Sequence, residues 1–165
     1  GDWSSDVCSS DLHCPRAFVS ARSGQWTDER LTVLPRIEDT IQDCGPTGGM
    51  LSAMRAHPDA AWLVVACDLP YLDAATLAGL VKQRAPFKVA TAYTSANDGL
   101  PEPLCAIYEP RARSRLFQFL AIGYDCPRKL LINSNVRLLP LENRRALENV
   151  NHPEEFERAA RELAE

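Results

Sequence analysis

Short apolar runs alternate with longer segments of helical spacing along most of the chain. Ala17–Ala21 (AFVSA) and Leu31–Leu34 (LTVL) have strand length. Gly45-Pro46 opens a segment, TGGMLSAMRAH, in which Leu51, Ala53 and Met54 share one side. A proline in the first turn of a helix loses no hydrogen bond, so a helix is predicted to begin there. Trp62–Cys67 (WLVVAC) is a continuous apolar run, as expected of a strand covered on both faces. Asp73 is placed to cap a helix over Ala74–Arg84. Phe87–Tyr93 and Leu104–Tyr108 read as strands, with the polar Ser95–Pro103 between them, and Pro110–Ala121 reads as a helix. Arg128–Ile132 reads as a short helix, Val136–Leu139 as a strand, and Pro153–Leu163 as an amphipathic helix rich in Glu and Arg. This alternation predicts an α/β fold: a Rossmann-like, mostly parallel sheet with helices on both faces. Ligands bind such sheets in the crevice outside the carboxyl ends of the strands. The rule selects Ser20, Asp39 with Gly45–Gly49, Asp68 and the segment after Ala146.

Composition narrows the class. The chain has 165 residues, 45% hydrophobic and 24% charged, which fits one globular domain and excludes wholesale disorder. A formal net charge of −4 argues against a general nucleic-acid or membrane-surface binder. No apolar run approaches the ~20 residues of a membrane span. Six cysteines, at positions 8, 14, 44, 67, 105 and 126, form no CxxC pair. They read as reduced thiols of a cytoplasmic protein rather than as a disulfide framework or a zinc site.

The first twelve residues, GDWSSDVCSSDL, stand apart. Back-translated, Asp2–Leu12 resembles a high-throughput sequencing adapter read in frame; the alternative is a natural Ser/Asp-rich arm. On the adapter reading, residues 1–12 are non-native and residues 13–165 form the domain. Without Asp2, Asp6 and Asp11 the balance is 18 basic against 19 acidic residues.

Three segments carry candidate chemistry. In Gly45-Pro46-Thr47-Gly48-Gly49, glycines at a helix start let backbone N–H groups approach a phosphate or a base edge. The same glycines also serve a tight turn with close helix packing. Asp68 follows a buried strand, at the mouth of the expected crevice. It suits Mg²⁺, which takes one or two carboxylates plus phosphate oxygens and water, and it equally suits an Asx-turn. Asn149 and Asn151 alternate in NVNHPEE, so on a short strand they share a face; Asn151 is also placed to cap the helix at Pro153.

In order along the chain, Glu38-Asp39, GPTGGM, VVACDLPY and NVNHPEE resemble the molybdenum cofactor guanylyltransferases. These belong to the wider nucleotidyltransferase family that includes sugar-nucleotide pyrophosphorylases. The likeness runs from about Ala17 to Glu165 and implies a nucleotide-diphospho-sugar-transferase-like fold. It implies that Asp39 binds the nucleotide near its base or ribose, with Gly45 and Gly49 shaping that wall. It implies that Asp68 binds Mg²⁺ beside the α-phosphate, and that Asn149 and Asn151 complete the catalytic face. Ser20 stands where the family usually has Asn, and is shorter and lacks the amide. The implied reaction transfers GMP from GTP to molybdopterin and releases pyrophosphate, in the cytoplasm. The implied partners are these substrates and, transiently, proteins that make or receive the cofactor; nucleic acid and membrane are not among them. Arg128 and Lys129 are candidates to meet the pterin phosphate, and Glu102-Pro103 to border the acceptor pocket.

The family opens with a strand and a loop of the form Leu-x-Gly-Gly-x-Ser-x-Arg-Met-Gly. Nothing of that form precedes Ala17 here, so the first strand and phosphate loop are expected to be missing and this fragment inactive. Cytidylyl transfer to the same pterin, or nucleotidyl transfer to another small molecule, are the near alternatives. A non-catalytic nucleotide-binding module is the alternative of another class. A dinucleotide-binding oxidoreductase is disfavoured, because no GxGxxG follows a strand.

Overall fold

The structure, a computed structural model, describes residues 14–24 and 35–163. Its central sheet has four strands: β3 (Trp62–Val65), β4 (Ala90–Thr94), β5 (Pro101–Tyr108) and β6 (Val136–Leu139), in the order β3-β5-β4-β6. β5 is antiparallel to both neighbours and β4 is parallel to β6, so β3, β4 and β6 run one way and β5 alone runs against them. A second, two-stranded parallel sheet pairs β1 (Val19–Ala21) with β2 (Arg36–Glu38). The expected α/β architecture is therefore present.

Strand periodicity builds two cores. Ala90, Ala92, Ala106 and Tyr108 face one side, where they meet Met50, Leu51 and Met54 of helix α1 (Gly45–Ala56). Leu116 of α3 (Ala112–Ala121) and Leu130 and Leu131 of α4 (Pro127–Ile132) complete that layer. The intervening residues Tyr93, Cys105 and Ile107 face the other side, against Leu77 and Leu80 of α2 (Ala74–Lys82). Alanine on the first face keeps the strands thin enough for the bulkier α1 and α4 side chains to pack without voids. Tyr93 ties strand to helix through its hydroxyl, which donates to the Thr76 carbonyl at 2.7 Å.

Asp73 caps α2 as expected, accepting from the Thr76 N–H at 2.6 Å. Burial pushes its carboxyl up, but the Asn143 amide and the Thr76 N–H outweigh that and hold it below the usual carboxylate range. Several boundaries differ from the sequence reading. Phe87–Val89 form a turn, with the Lys88 N–H donating to Ala85 O, and the strand begins at Ala90. β5 begins earlier than expected, at Pro101, because the tight turn at Ser95–Leu100 returns the chain at once into pairing. Leu31–Leu34 lies outside the described residues, and β2 is Arg36–Glu38.

Three readings need correction. Trp62–Cys67 is not buried on both faces: β3 ends at Val65, which is 40% exposed. β3 is an edge strand that pairs with β5 alone among the described residues. Asn149–Asn151 is not part of a strand. The final helix α5 (Pro153–Glu162) starts from His152 instead of Asn151, and the Glu155 carboxylate accepts from the N–H groups of both. Those two backbone N–H groups hold Glu155 below the usual carboxylate range.

Candidate active site

The residues singled out above gather at two places. At the carboxyl ends of β1 and β2, Ser20 Oγ donates to Asp39 Oδ1 at 2.9 Å. The Asp39 N–H donates to Ala21 O, which fixes the carboxylate at the end of the short ribbon. Gly49 lies beneath this pair: a Cβ there would stand 2.4 Å from Ser20 Oγ and 3.1 Å from Asp39 Oδ1. The structure thus brings Ser20, Asp39 and Gly49 together, and the glycine is needed for contact with two polar side chains.

Gly45 has a different role. Its φ of +50° sets the left-handed turn that launches α1, and nothing lies within 4 Å of where its Cβ would be. Gly48 allows the loop to lie on the helix, with its Cβ position 2.5 Å from the Ile41 carbonyl oxygen. Ser52 strengthens that contact by accepting from the Thr40 N–H at 2.8 Å and donating to Gly48 O at 2.8 Å. The α1 N-terminus has no side-chain cap and no acidic residue in its first turn. Its N–H groups and partial positive charge are therefore available to an anion.

The difference between the two inner glycines gives a test. Gly48→Ala forces a methyl against backbone that cannot turn aside, and should lower stability by about 1–3 kcal/mol. Gly49→Ala meets a serine hydroxyl that can rotate away, and it gains helix propensity of about 1 kcal/mol. Urea midpoints should therefore fall clearly for Gly48→Ala and little for Gly49→Ala, with the Ser20–Asp39 hydrogen bond lost only in the latter.

The second cluster lies just beyond β3. Asn149 Nδ2 donates to Asp68 Oδ2 at 3.0 Å, and the Val150 N–H donates to Asp68 O at 3.0 Å. Asp68 Oδ1 is buried and has no hydrogen-bond partner. An unpaired carboxylate oxygen out of solvent is costly unless a cation or donor completes it. Asp68 therefore suits a hard divalent ion. Among the described residues, no three His, Cys, Asp or Glu side chains group to hold a metal. A cation here would take its remaining ligands from phosphate and water, the habit of Mg²⁺. Asn151 contributes its backbone N–H to Glu155, which anchors the segment behind Asn149.

The side-chain pairings near this cluster were not anticipated; a pocket bordered by Glu102 and Pro103 was an expectation, and both residues line a cleft here. Tyr71 donates to Glu162 Oε2 at 2.9 Å, and Arg145 donates to the same oxygen at 2.6 Å with its guanidinium 4.2 Å from the Tyr71 ring centroid. This clamp holds α5 to the loop that carries Asp68. Beside Asn149, a cleft of about 90 Å³ is lined by Ala66, Leu69, Leu147, Cys105, Glu102 and Arg128, among others. Burial pushes the Cys105 thiol up to about 12, so it offers no thiolate nucleophile at neutral pH. Arg128, a candidate phosphate contact, is already engaged: it donates to Asp98 Oδ2 at 2.9 Å and Glu102 Oε2 at 3.0 Å. Lys129 lies over the Tyr124 ring, 3.9 Å from its centroid. Apart from Lys129 and Tyr124, which are five positions apart, these pairings join residues 17 to 91 positions apart and follow from the fold, so sequence spacing gave no signal for them.

An α/β sheet with a Gly-rich helix start and an acidic residue beyond a strand end is the layout of a nucleotide-handling domain. The family profile described as "MobA-like NTP transferase domain" matches residues 8–136, and the chain belongs to that family. The "Molybdenum cofactor biosynthesis bifunctional protein" of Synechocystis sp. is 35% identical over 144 residues, covering 87% of this chain and 42% of that protein. The chain thus spans less than half of that relative's length. A Bacillus mycoides protein named "Probable molybdenum cofactor guanylyltransferase" is 27% identical over 143 residues, covering 82% of this chain and 70% of its own. In fold, the chain resembles the crystal structure of molybdopterin-guanine dinucleotide biosynthesis protein A from Archaeoglobus fulgidus. The TM-score is 0.69 at 21% identity, over 89% of this chain and 78% of that one. No helix among the described residues is long and apolar enough to cross a membrane.

Proposed function

We propose that this protein is a nucleotidyltransferase domain that transfers GMP from GTP to molybdopterin in the cytoplasm, releasing pyrophosphate. The observation that carries the reading is the buried, unpartnered Asp68 Oδ1, held in place by Asn149 and Val150. The names of the family and of the relatives supply the substrate class.

In the reaction, an oxygen of the acceptor's terminal phosphate attacks the α-phosphorus in line. The new P–O bond forms as the α–β bridge breaks, and its electron pair leaves with pyrophosphate. Asp68 would hold Mg²⁺, which when bound would supply charge neutralisation on the phosphate oxygens. Asn149 fixes the Asp68 carboxylate through Oδ2, which leaves Oδ1 as the oxygen without a protein donor. Ser20, Asp39 and Gly49 form the wall for base or ribose, and the α1 N-terminus offers N–H groups to a phosphate. No covalent nucleophile is required, because such transfers rest on positioning and electrostatics.

The test has two parts. Mn²⁺, used as a paramagnetic stand-in for Mg²⁺, should broaden the NMR signals of the Asn149 side-chain amide and the Val150 N–H, and Asp68→Asn should abolish the effect. The protein should release pyrophosphate from GTP in the presence of molybdopterin faster than from CTP. Broadening that spares Asn149 and Val150 would overturn the metal assignment, and preference for CTP would overturn the choice of base.

A further inference from the structure

We propose that Glu162, the last residue of α5, is a positioning residue for Asp68. By holding Tyr71 and Arg145 on one carboxylate oxygen, it fixes the loop that carries Asp68 against the segment that carries Asn149. The inference rests on the reading above in taking Asp68 as the metal ligand.

Residues 68–73 and 143–150 are tied to each other at both ends. Asp68 accepts from the Asn149 amide and the Val150 N–H, and Asp73 Oδ2 accepts from Asn143 Nδ2 at 2.7 Å. Between these ties Arg145 lies over the Tyr71 ring. The Arg145 side chain is 55% exposed, and a cation over a ring is a weak contact when water reaches it. Glu162 Oε2 supplies what that contact lacks, a shared acceptor for the Tyr71 hydroxyl and the guanidinium. Helix α5 delivers the carboxylate from a docked face: Ala159, one turn earlier, is buried. Arg145 and Tyr71 hold the Glu162 carboxyl below the usual carboxylate range, so it is ionised at neutral pH.

Arg145 has a second carboxylate within reach. Glu148 Oε2 lies 3.6 Å from Arg145 Nε, against 2.6 Å between Glu162 Oε2 and Arg145 Nη2. Glu148 is the neighbour of Asn149 in the chain. With Glu162 removed, the guanidinium is left to Glu148. Closing on it draws Arg145 off the Tyr71 ring and shifts the residue beside Asn149. The Asp68 loop then keeps its end ties but loses the support between them. An exposed ion pair is weak singly, whereas here three side chains from separate stretches of chain converge on one oxygen.

Amide hydrogen exchange of the full chain without metal tests the idea. In Glu162→Ala the Val150 N–H, which donates to Asp68 O, should exchange about three- to fivefold faster, the reach of an exposed charged contact. The amides of β4 and β5 should keep their rates, because the opening is local. Glu162→Gln should recover most of the protection, since its amide oxygen still accepts from both donors. Glu157→Ala, which removes the same charge elsewhere on α5, should change nothing. An unchanged Val150 rate in Glu162→Ala, equal loss in the Gln and Ala variants, or an equal rise across β4 and β5 would each overturn the proposal. Should Glu162→Ala release α5 altogether, Tyr71→Phe decides. It leaves Arg145 on Glu162 and should quicken Val150 exchange about twofold, and no change there overturns the proposal. Mn²⁺ affinity reads the consequence at Asp68: Glu162→Ala should weaken it about three- to fivefold at 0.15 M salt, and equal affinity overturns the role. Faster exchange in Glu162→Ala, with no Mn²⁺ effect at Asn149 or Val150 of the unaltered protein, retains the positioning and sinks the metal reading. Mn²⁺ broadening of those two with exchange unchanged does the opposite.

Discussion

Asp68→Ala should lower nucleotidyl transfer by about 10²–10³-fold, the usual loss when one element of electrostatic stabilisation is removed from a reacting phosphate or carbonyl. The measurement is pyrophosphate release from GTP in the presence of molybdopterin. The same substitution should leave stability unchanged or raise it slightly. Without a bound cation, Asp68 Oδ1 is a buried oxygen that lacks any hydrogen bond, and its removal relieves that cost. The hydrogen bond from Asn149 to Oδ2 is lost in the same variant, which offsets part of the gain. Asp68→Asn separates the two effects, because the amide oxygen still accepts from Asn149 while the charge is gone. Loss of turnover in both variants with unchanged melting assigns the charge itself to the reaction. A purely structural carboxylate predicts the converse: lower melting in Asp68→Ala, with turnover per folded molecule retained. Mg²⁺ should also raise the melting temperature of the unaltered protein and not of either variant, since a ligand stabilises only the state that binds it.

The legible part of this protein was what strand and helix periodicity encodes. The run WLVVAC gave β3, Asp73 gave the α2 cap, and Gly45-Pro46 gave the start of α1. Motif order put Asp68 and Asn149 into one candidate site, and the fold brings the two side chains to 3.0 Å across 81 residues. The direction of β5 was not legible. Nothing in LCAIY distinguishes an antiparallel strand from a parallel one once both faces are buried. The tight turn around Gly99 carried that information, since a short return of this kind joins antiparallel strands only. Exposure of β3 was likewise hidden, because edge position depends on which strands lie alongside. The engagement of Arg128 with Asp98 and Glu102 needed the hairpin and α4 to be docked first. Composition describes Arg128 as one cation of a basic pair; only the fold shows where its charge is spent.

Arg84→Ala should be the most destabilising substitution remote from the site. Glu109 follows β5 with its side chain only 2% exposed, and Arg84 meets it with two hydrogen bonds, Nε to Oε1 at 2.7 Å and Nη2 to Oε2 at 2.8 Å. The pair joins the end of α2 to the start of α3, since the Glu109 carbonyl also accepts from the Ala112 N–H. Removing the guanidinium leaves a buried carboxylate without its counter-ion, a change that costs ~3–5 kcal/mol for fully buried pairs. The Arg84 side chain is 42% exposed, so water screens part of the interaction and about 3 kcal/mol is the fitting expectation. Urea denaturation at neutral pH should show this as a lowered midpoint with an unchanged slope. The hydrogen bond to Glu109 raises the Arg84 pKa further above its already alkaline value. A cation with a raised folded-state pKa contributes fully below its unfolded value and loses that contribution only as pH rises through the folded one. Titration of Arg84 therefore should not alter the stability of the unaltered protein between about pH 6 and 9. Replacing both partners, as in Arg84→Met with Glu109→Leu, should recover most of the loss, because no charge is then left stranded. A double variant as unstable as Arg84→Ala alone would show that the ion pair is required for the α2–α3 junction itself, beyond the cancelling of a buried charge.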